Sequence, residues 1–186
     1  MPQSVNKQAH AVSGVLTFAL EAAIDARGSF TEIFRNQWTD GHRPAQWNLI
    51  HSHPNSMRGI HVHARHSDYL VAVSGNMQVA MKDLRRSAPS FGQSLVLRLG
   101  AAMPSGLLIP PGIAHGFFFD DDATHLYSVS EYWCPEEEMG CHWRDPSLQF
   151  DWSVVPNPVI SQRDDSLGSL AQLRQQLEPF QHLFRP

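Results

Sequence analysis

Cysteine and long apolar runs are scarce in this sequence, and each shortage excludes a class of protein. The 186 residues include two cysteines, Cys134 and Cys141, without CxxC spacing. Two such thiols cannot build a disulfide framework or a cysteine-only zinc site, so we expect a protein of the reducing cytoplasm. No stretch approaches the ~20 apolar residues of a membrane span, and residues 1–12 lack the apolar core of a signal peptide. We therefore expect a cytoplasmic protein that does not enter membranes.

Clustered basic charge is also missing. The 14 lysines and arginines are scattered along the chain, and the net charge is −4. Nucleic acids and anionic membranes bind proteins through concentrated positive charge. We expect neither partner, and a small molecule is the better expectation.

The sequence has the hydrophobic content and strand patterns of a compact β domain. Hydrophobic residues make up 42% of the chain, which is enough for one core. We expect residues 1–13 to form a flexible segment and residues 14–186 a single domain. From Gly14 to Gly140, short β-branched and aromatic runs are broken by Gly, Pro, Asn and Asp, a pattern that predicts an all-β sandwich or barrel.

Two local patterns predict where side chains point. In the run GIHVHA, His61 and His63 fall on one face of a strand and therefore point the same way. Near the end of the chain, leucines recur at close to helical spacing, which predicts a short helix packed on the β domain. These leucines are Leu167, Leu170, Leu173 and Leu177.

The histidines form the most unusual feature. Six of the eleven lie between His42 and His66. His61, His63 and Asp68, together with a later histidine in the run PPGIAH, resemble the metal-ligand pattern of the cupin superfamily. Imidazole and carboxylate groups suit divalent transition metals such as iron, manganese, zinc or nickel. One hypothesis is therefore a metal site formed by His61, His63, Asp68 and His115.

A more extensive resemblance, over roughly residues 14–180, is to the dTDP-4-dehydrorhamnose 3,5-epimerase family, a non-metal branch of the cupins. It rests on collinear motifs: DARGSFTE (25–32), QWN (46–48), RGIH (58–61), SFG (90–92), IPPGIAHGF (109–117), EMG (138–140), WRD (143–145) and SQRD (161–164). The resemblance implies a cupin-type jelly-roll β-barrel or sandwich with a short C-terminal helix. It also implies a homodimer, a nucleotide-sugar substrate and no cofactor.

The family's reaction gives these residues roles. A base removes a proton beside the 4-keto group of a nucleotide-linked sugar, an enolate forms, and an acid returns a proton to the opposite face. The resemblance implies that His61 is the base and Asp164 the carboxylate that orients it. It also implies that the following residues contact the substrate: Arg27, Phe30, Glu32, Gln46, Asn48, Arg58, His63 and His115.

Two positions differ from the family pattern. The family's acidic tyrosine corresponds to Trp133, which leaves the adjacent Tyr132 as the nearby candidate acid, and the family's lysine corresponds to Asp68. The leading hypothesis is an epimerase acting at C3, C5 or both carbons of a 4-keto-6-deoxyhexose. The alternatives are a 3,4-ketoisomerase-like proton shuttle using His61 and His63, a metal-binding cupin, and a catalytically silent relative that binds sugar nucleotides.

Overall fold

The structure is a computed structural model that describes residues 5–39, 41–135 and 138–184. The strands are β1 Asn6–Ala9, β2 Leu16–Ala19, β3 Ala22–Asp25, β4 Gly28–Thr31, β5 Gln46–Ser52, β6 Ser56–Val62, β7 Asp68–Ser74, β8 Asn76–Asp83, β9 Ser94–Gly100, β10 Ser105–Ile109, β11 Ile113–Phe118, β12 Ala123–Val129, β13 Met139–Gly140 and β14 Val159–Ile160. The helices are α1 Gln162–Asp165 and α2 Leu170–Leu177, with 3-10 turns at Pro146–Leu148 and Glu178–Leu183.

The strands form two facing sheets and one small hairpin. The first sheet has the order β1-β2-β10-β7-β12-β5, and the second has the order β13-β6-β11-β8-β9 with β14 parallel to β6. Strands β3 and β4 pair only with each other among the described strands. The predicted all-β sandwich with a short C-terminal helix is confirmed.

The main core lies between the two sheets. Leu70 and Leu107 of the first sheet belong to the same buried cluster as Met77, Val79 and Met81 of β8. These three β8 residues alternate along the strand, as period-2 geometry requires. Complete burial of such side chains contributes roughly 1.5–3 kcal/mol each to folding.

A second core layer covers the outer face of the second sheet. Ile60 and Val62 of β6 are fully buried in a cluster that also contains Leu170, Leu173 and Leu177 of α2. The predicted leucine helix is therefore confirmed, although it begins at Leu170. Because Ile60 and Val62 face this layer, the alternate residue His61 faces the space between the sheets.

Two expectations about the N-terminal part are wrong. Asn6–Ala9, within the segment expected to be flexible, forms β1 and pairs antiparallel with β2. FTEIFR (30–35) is one of the short runs between Gly14 and Gly140 from which strands are predicted, but its strand ends at Thr31. Beyond Thr31 the chain leaves the hairpin as a loop. Ile33 and Phe34 are apolar because they pack from this loop against the cluster around Tyr69.

None of the helices among the described residues has the length and apolar character that crossing a bilayer requires.

Candidate active site

A cavity of about 610 Å³ opens between the two sheets. Its wall is contributed mainly by β6, β7, β11, β12 and the segment from β14 into α1. The polar and aromatic residues in the wall are Ser56, Arg58, His61, His63, His66, Asp68, His115, Phe117, His125, Tyr127, Trp133, Glu138, Ser161, Arg163 and Asp164. The volume is in the range of small-molecule sites.

His61 and Asp164 form a hydrogen-bonded pair inside this cavity. The Nε2 atom of His61 lies 2.8 Å from Oδ1 of Asp164, and the Gly59 N–H donates to Oδ2 at 3.1 Å. Ser161 caps helix α1 and so fixes the backbone that carries Asp164. Gly59 has φ +104° and would place a Cβ 2.8 Å from the His115 carbonyl oxygen. Glycine is required at this position because any side chain would collide with the backbone of the neighbouring strand β11.

The charge of Asp164 determines which His61 nitrogen is basic. Burial alone raises the pKa of Asp164, but its hydrogen bonds with His61 and Gly59 and the charge of Arg163 lower it to about 2. An ionised carboxylate only accepts hydrogen bonds. The Arg163 guanidinium also lies 3.1 Å from Nε2 of His61, but the carboxylate contact is shorter at 2.8 Å. Nε2 therefore carries the proton, and Nδ1 keeps the lone pair that can remove a proton from a ligand.

Glu138 joins several of these groups at one side of the cavity. Its carboxylate lies 3.6 Å from Nδ1 of His61 and 3.3 Å from the Arg163 guanidinium. The indole N–H of Trp133 donates to Glu138 at 2.7 Å. Glu138 and Arg163 lie within the family motifs, but no sequence pattern indicated that their side chains lie beside His61.

A second group of titratable side chains surrounds Asp68. Burial and then the negative charge of Glu138 raise the pKa of Asp68 well above its ordinary value. Burial, followed by the charges of neighbouring histidines, lowers the pKa of His63 well below its ordinary value. Burial also lowers the pKa of His115 to about 4, despite an opposing hydrogen bond with Ile113. His66 joins this group, which the sequence analysis did not anticipate.

Five of the eight predicted substrate contacts lie at or near the cavity, and two of them, His63 and His115, belong to the group around Asp68. Arg58 lines it and donates to Ser52 at 3.0 Å. Gln46 and Asn48 alternate with exposed residues along β5, on the same face as the cavity residue Ile50. Gln46 also accepts a hydrogen bond from the Trp133 backbone at 3.2 Å, which places this pair beside the cavity wall.

Three other predicted contacts lie away from this cavity. The Arg27 side chain is 91% exposed and pairs with Asp25 in the β3–β4 hairpin. Phe30 is 68% exposed, and Glu32 pairs with Arg35. These residues do not line the cavity of their own chain, because Arg27 and Phe30 lie on a separate two-stranded hairpin and Glu32 directly follows it. Their expected contact with the substrate stays a prediction.

The candidate acid Tyr132 is also outside the cavity. Tyr132 is 78% exposed, because the adjacent Trp133 occupies the position in the wall. Among the described residues, Tyr127 is the tyrosine that lines the cavity. Burial, then the charges of Asp68 and Glu138, raises the pKa of Tyr127, so its phenol retains its proton.

A jelly-roll sandwich with an imidazole–carboxylate pair between its sheets defines a cupin-type protein. Sequence comparison gives the particular family: the model of the dTDP-4-dehydrorhamnose 3,5-epimerase family matches residues 9–172. The chain belongs to this family. Its members are enzymes of the carbohydrate epimerase class, as the names of its relatives state.

Individual relatives agree with this assignment. A dTDP-4-dehydrorhamnose 3,5-epimerase from Pseudomonas aeruginosa is 33% identical over 162 residues, covering 83% of this chain and 90% of that protein. A dTDP-4-dehydro-6-deoxyglucose 3-epimerase from a Streptomyces species is 31% identical, covering 79% and 80% of the two chains.

Solved structures of sugar epimerases have folds similar to that of this chain. The dTDP-6-deoxy-D-glucose-3,5-epimerase of Legionella pneumophila in complex with dTDP-4-keto-L-rhamnose superposes with a TM-score of 0.84 at 25% identity, covering 91% of this chain and 96% of that chain. NovW, a 4-keto-6-deoxy sugar epimerase from Streptomyces spheroides, gives a TM-score of 0.84 at 29% identity, covering 95% and 94%.

Proposed function

We propose that this protein epimerises C3, C5 or both carbons of a nucleotide-linked 4-keto-6-deoxyhexose, with dTDP as the nucleotide, in deoxysugar biosynthesis. The observation that carries the proposal is the His61–Asp164 pair, 2.8 Å apart inside a cavity of a family member. Such sugars present acidic hydrogens beside a ketone. The reaction needs a positioned base, an acid and a water-poor site.

His61 acts as the base in this proposal. Asp164 holds the Nε2 proton, so Nδ1 accepts the hydrogen from C3 or C5 and the resulting imidazolium is stabilised by the ionised carboxylate. Electrons of the broken C–H bond move into an enolate whose oxygen is the former C4 carbonyl. The cycle uses proton transfer alone, and the proposal includes no organic cofactor.

Tyr127 is the proposed proton donor on the other side of the enolate. Its raised pKa keeps the phenol protonated at neutral pH, which a general acid requires. Trp133, at the family's tyrosine position, has an indole that cannot serve as this acid and instead donates to Glu138. The names of relatives include both 3,5-epimerase and 3-epimerase, so both outcomes belong to the family's chemistry.

Product analysis tests this function against the ketoisomerase alternative. We expect proton NMR of the product from dTDP-4-keto-6-deoxyglucose to show inverted configuration at C3, C5 or both, with the carbonyl still at C4. The carbonyl stays in place because reprotonation returns hydrogen to the same carbon. A product with its carbonyl at C3 would contradict the proposal and establish ketoisomerase activity.

A homodimer with exchanged hairpins brings two of the contacts outside the cavity, Arg27 and Phe30, to the cavity of a partner. Ile24 and Phe30 of the hairpin are 79% and 68% exposed. Leu49 on the edge strand β5 is 66% exposed. Exposed edges and apolar patches favour pairing with another chain. We place Arg27 and Phe30 of one subunit against the cavity of its partner. We also propose that the protein acts in the cytoplasm.

Mixing two inactive variants tests this arrangement. A His61→Asn chain lacks the base, and an Arg27→Ala/Phe30→Ala chain lacks the hairpin contacts. If the hairpin acts on the partner, the mixed dimer has one cavity with both intact parts, and refolding equal amounts together restores about a quarter of wild-type activity. No recovery in verified mixed dimers would show that the hairpin does not act across subunits.

A further inference from the structure

We propose that His63, His66, Asp68 and His115 form a binding site for one divalent transition-metal ion, such as Zn²⁺ or Fe²⁺, at the floor of the cavity. This inference goes beyond the proposed function and does not depend on it. The ligand set also differs from the set expected from sequence, because His66 replaces His61. His61 is already bonded to Asp164, whereas His66 turns toward Asp68.

The spacing of the donor atoms carries the proposal. Oδ2 of Asp68 lies 3.5 Å from Nε2 of His115 and 3.6 Å from Nε2 of His63. Oδ1 of Asp68 lies 3.8 Å from Nε2 of His66. These distances exceed the ~2.9 Å of a good N–H···O hydrogen bond. Metal–ligand bonds of about 2.1 Å place tetrahedral donors about 3.4 Å apart, close to the observed spacing.

The three principal donors also converge on one another. One ligand atom from each of His63, His66 and Asp68 lies within 4.8 Å of the others. The rings of His63 and His66 are stacked with centroids 4.0 Å apart, and the His115 ring is 5.2 Å from that of His63. All four side chains belong to residues at most 9% exposed. Buried carboxylates are normally paired or bound to a metal.

A backbone carbonyl holds the His115 imidazole in the orientation that a metal needs. Nδ1–H of His115 donates a hydrogen bond to the Ile113 carbonyl oxygen at 3.0 Å, which leaves Nε2 as the ligand atom. Nδ1 of His63 points toward Glu138, 3.8 Å away, which is beyond hydrogen-bond distance. A carbonyl or carboxylate behind a coordinating histidine is the usual outer-shell arrangement. Three neutral imidazoles and one carboxylate suit zinc, iron, nickel or cobalt rather than calcium.

Cobalt titration tests this site directly. The protein, prepared without an affinity tag of histidines and treated with a chelator, is titrated with Co²⁺ and followed by visible absorption and calorimetry. We expect one equivalent to bind and to give the visible bands of a low-coordinate cobalt–imidazole site. Asp68→Asn and His66→Asn should each weaken binding by at least about tenfold, while circular dichroism and thermal unfolding confirm that both variants fold.

Two control variants separate this site from its competitors. His53→Asn disrupts the exposed group of His51, His53 and Asp122, which also has metal-ligand geometry. This variant should still bind one equivalent of Co²⁺ at the buried site. His61→Asn should leave it intact as well. Undiminished Co²⁺ binding in both Asp68→Asn and His66→Asn, loss of binding in His53→Asn, or no binding by the wild type would each overturn the proposal. None of these readings requires epimerase activity.

Discussion

Replacing His61 by asparagine is expected to lower kcat by about 10²–10⁴-fold, the usual contribution of a positioned general base. Asparagine keeps a polar side chain of moderate size but has no nitrogen that can accept a proton from carbon. The substitution leaves β6 in place, because Ile60 and Val62 on its opposite face remain packed against α2. Steady-state rates on the 4-keto sugar nucleotide measure the effect.

Controls for this prediction use the partner carboxylate and an exposed histidine. Asp164→Asn should also reduce kcat strongly, because an amide no longer stabilises the imidazolium. His51→Asn alters a half-exposed histidine on β5 and should retain wild-type rates. Wild-type turnover by His61→Asn would remove His61 from the mechanism.

The lowered pKa of Asp164 predicts that Asp164→Asn also reduces the stability of the fold, unlike His51→Asn. Because the pKa in the folded protein is about 2, below the ordinary value of about 3.9, ionised Asp164 favours folding above pH 4. That contribution falls as the pH drops toward 2. At pH 7, Asp164→Asn should therefore lower the free energy of unfolding by about 2 kcal/mol. His51→Asn should leave it unchanged.

The largest expected loss of stability comes from a buried ion pair remote from the cavity wall. Asp83 is fully buried, and the side chain of its partner Arg85 is 5% exposed. Asp83 accepts from Arg85 Nε at 2.9 Å and from Ser90 at 2.6 Å. Removing the carboxylate by Asp83→Ala would leave the guanidinium buried without its counter-charge. We expect a loss of about 3–5 kcal/mol in urea unfolding.

An exposed ion pair provides the matched comparison. Arg86 and Glu178 lie 2.6 Å apart, but their side chains are 59% and 53% exposed. Glu178→Ala should therefore change the free energy of unfolding by less than about 1 kcal/mol. Equal effects of Asp83→Ala and Glu178→Ala would contradict the conclusion that burial of the Asp83 pair determines its importance.

Local periodicity accounts for the parts of the fold that the sequence predicted well. Alternation along β6 fixed which face carries His61, and the leucine spacing identified α2, because both depend on residues close together in the chain. The pairing of His61 with Asp164, about a hundred residues apart, came from family motifs. Neither periodicity nor composition indicated it.

The errors arose where strand or helix periodicity does not determine the position of a side chain or segment. Asn6–Ala9 is a polar run without strand pattern, yet it extends the first sheet by pairing with β2. Tyr132 was favoured by adjacency, but the orientation of Trp133 decided which side chain enters the wall. His66 was missed because it lies outside the alternation of β6 and meets Asp68 through the turn before β7.

The most direct test of the central claim is deuterium exchange at the sugar carbons. Wild-type protein and dTDP-4-keto-6-deoxyglucose are incubated in deuterated water, and the C3 and C5 proton signals are followed by NMR. The account predicts that one or both signals disappear with the wild type and persist with His61→Asn. Persistence of both signals with the wild type, when binding of the sugar nucleotide is shown separately, would contradict a base-catalysed epimerase.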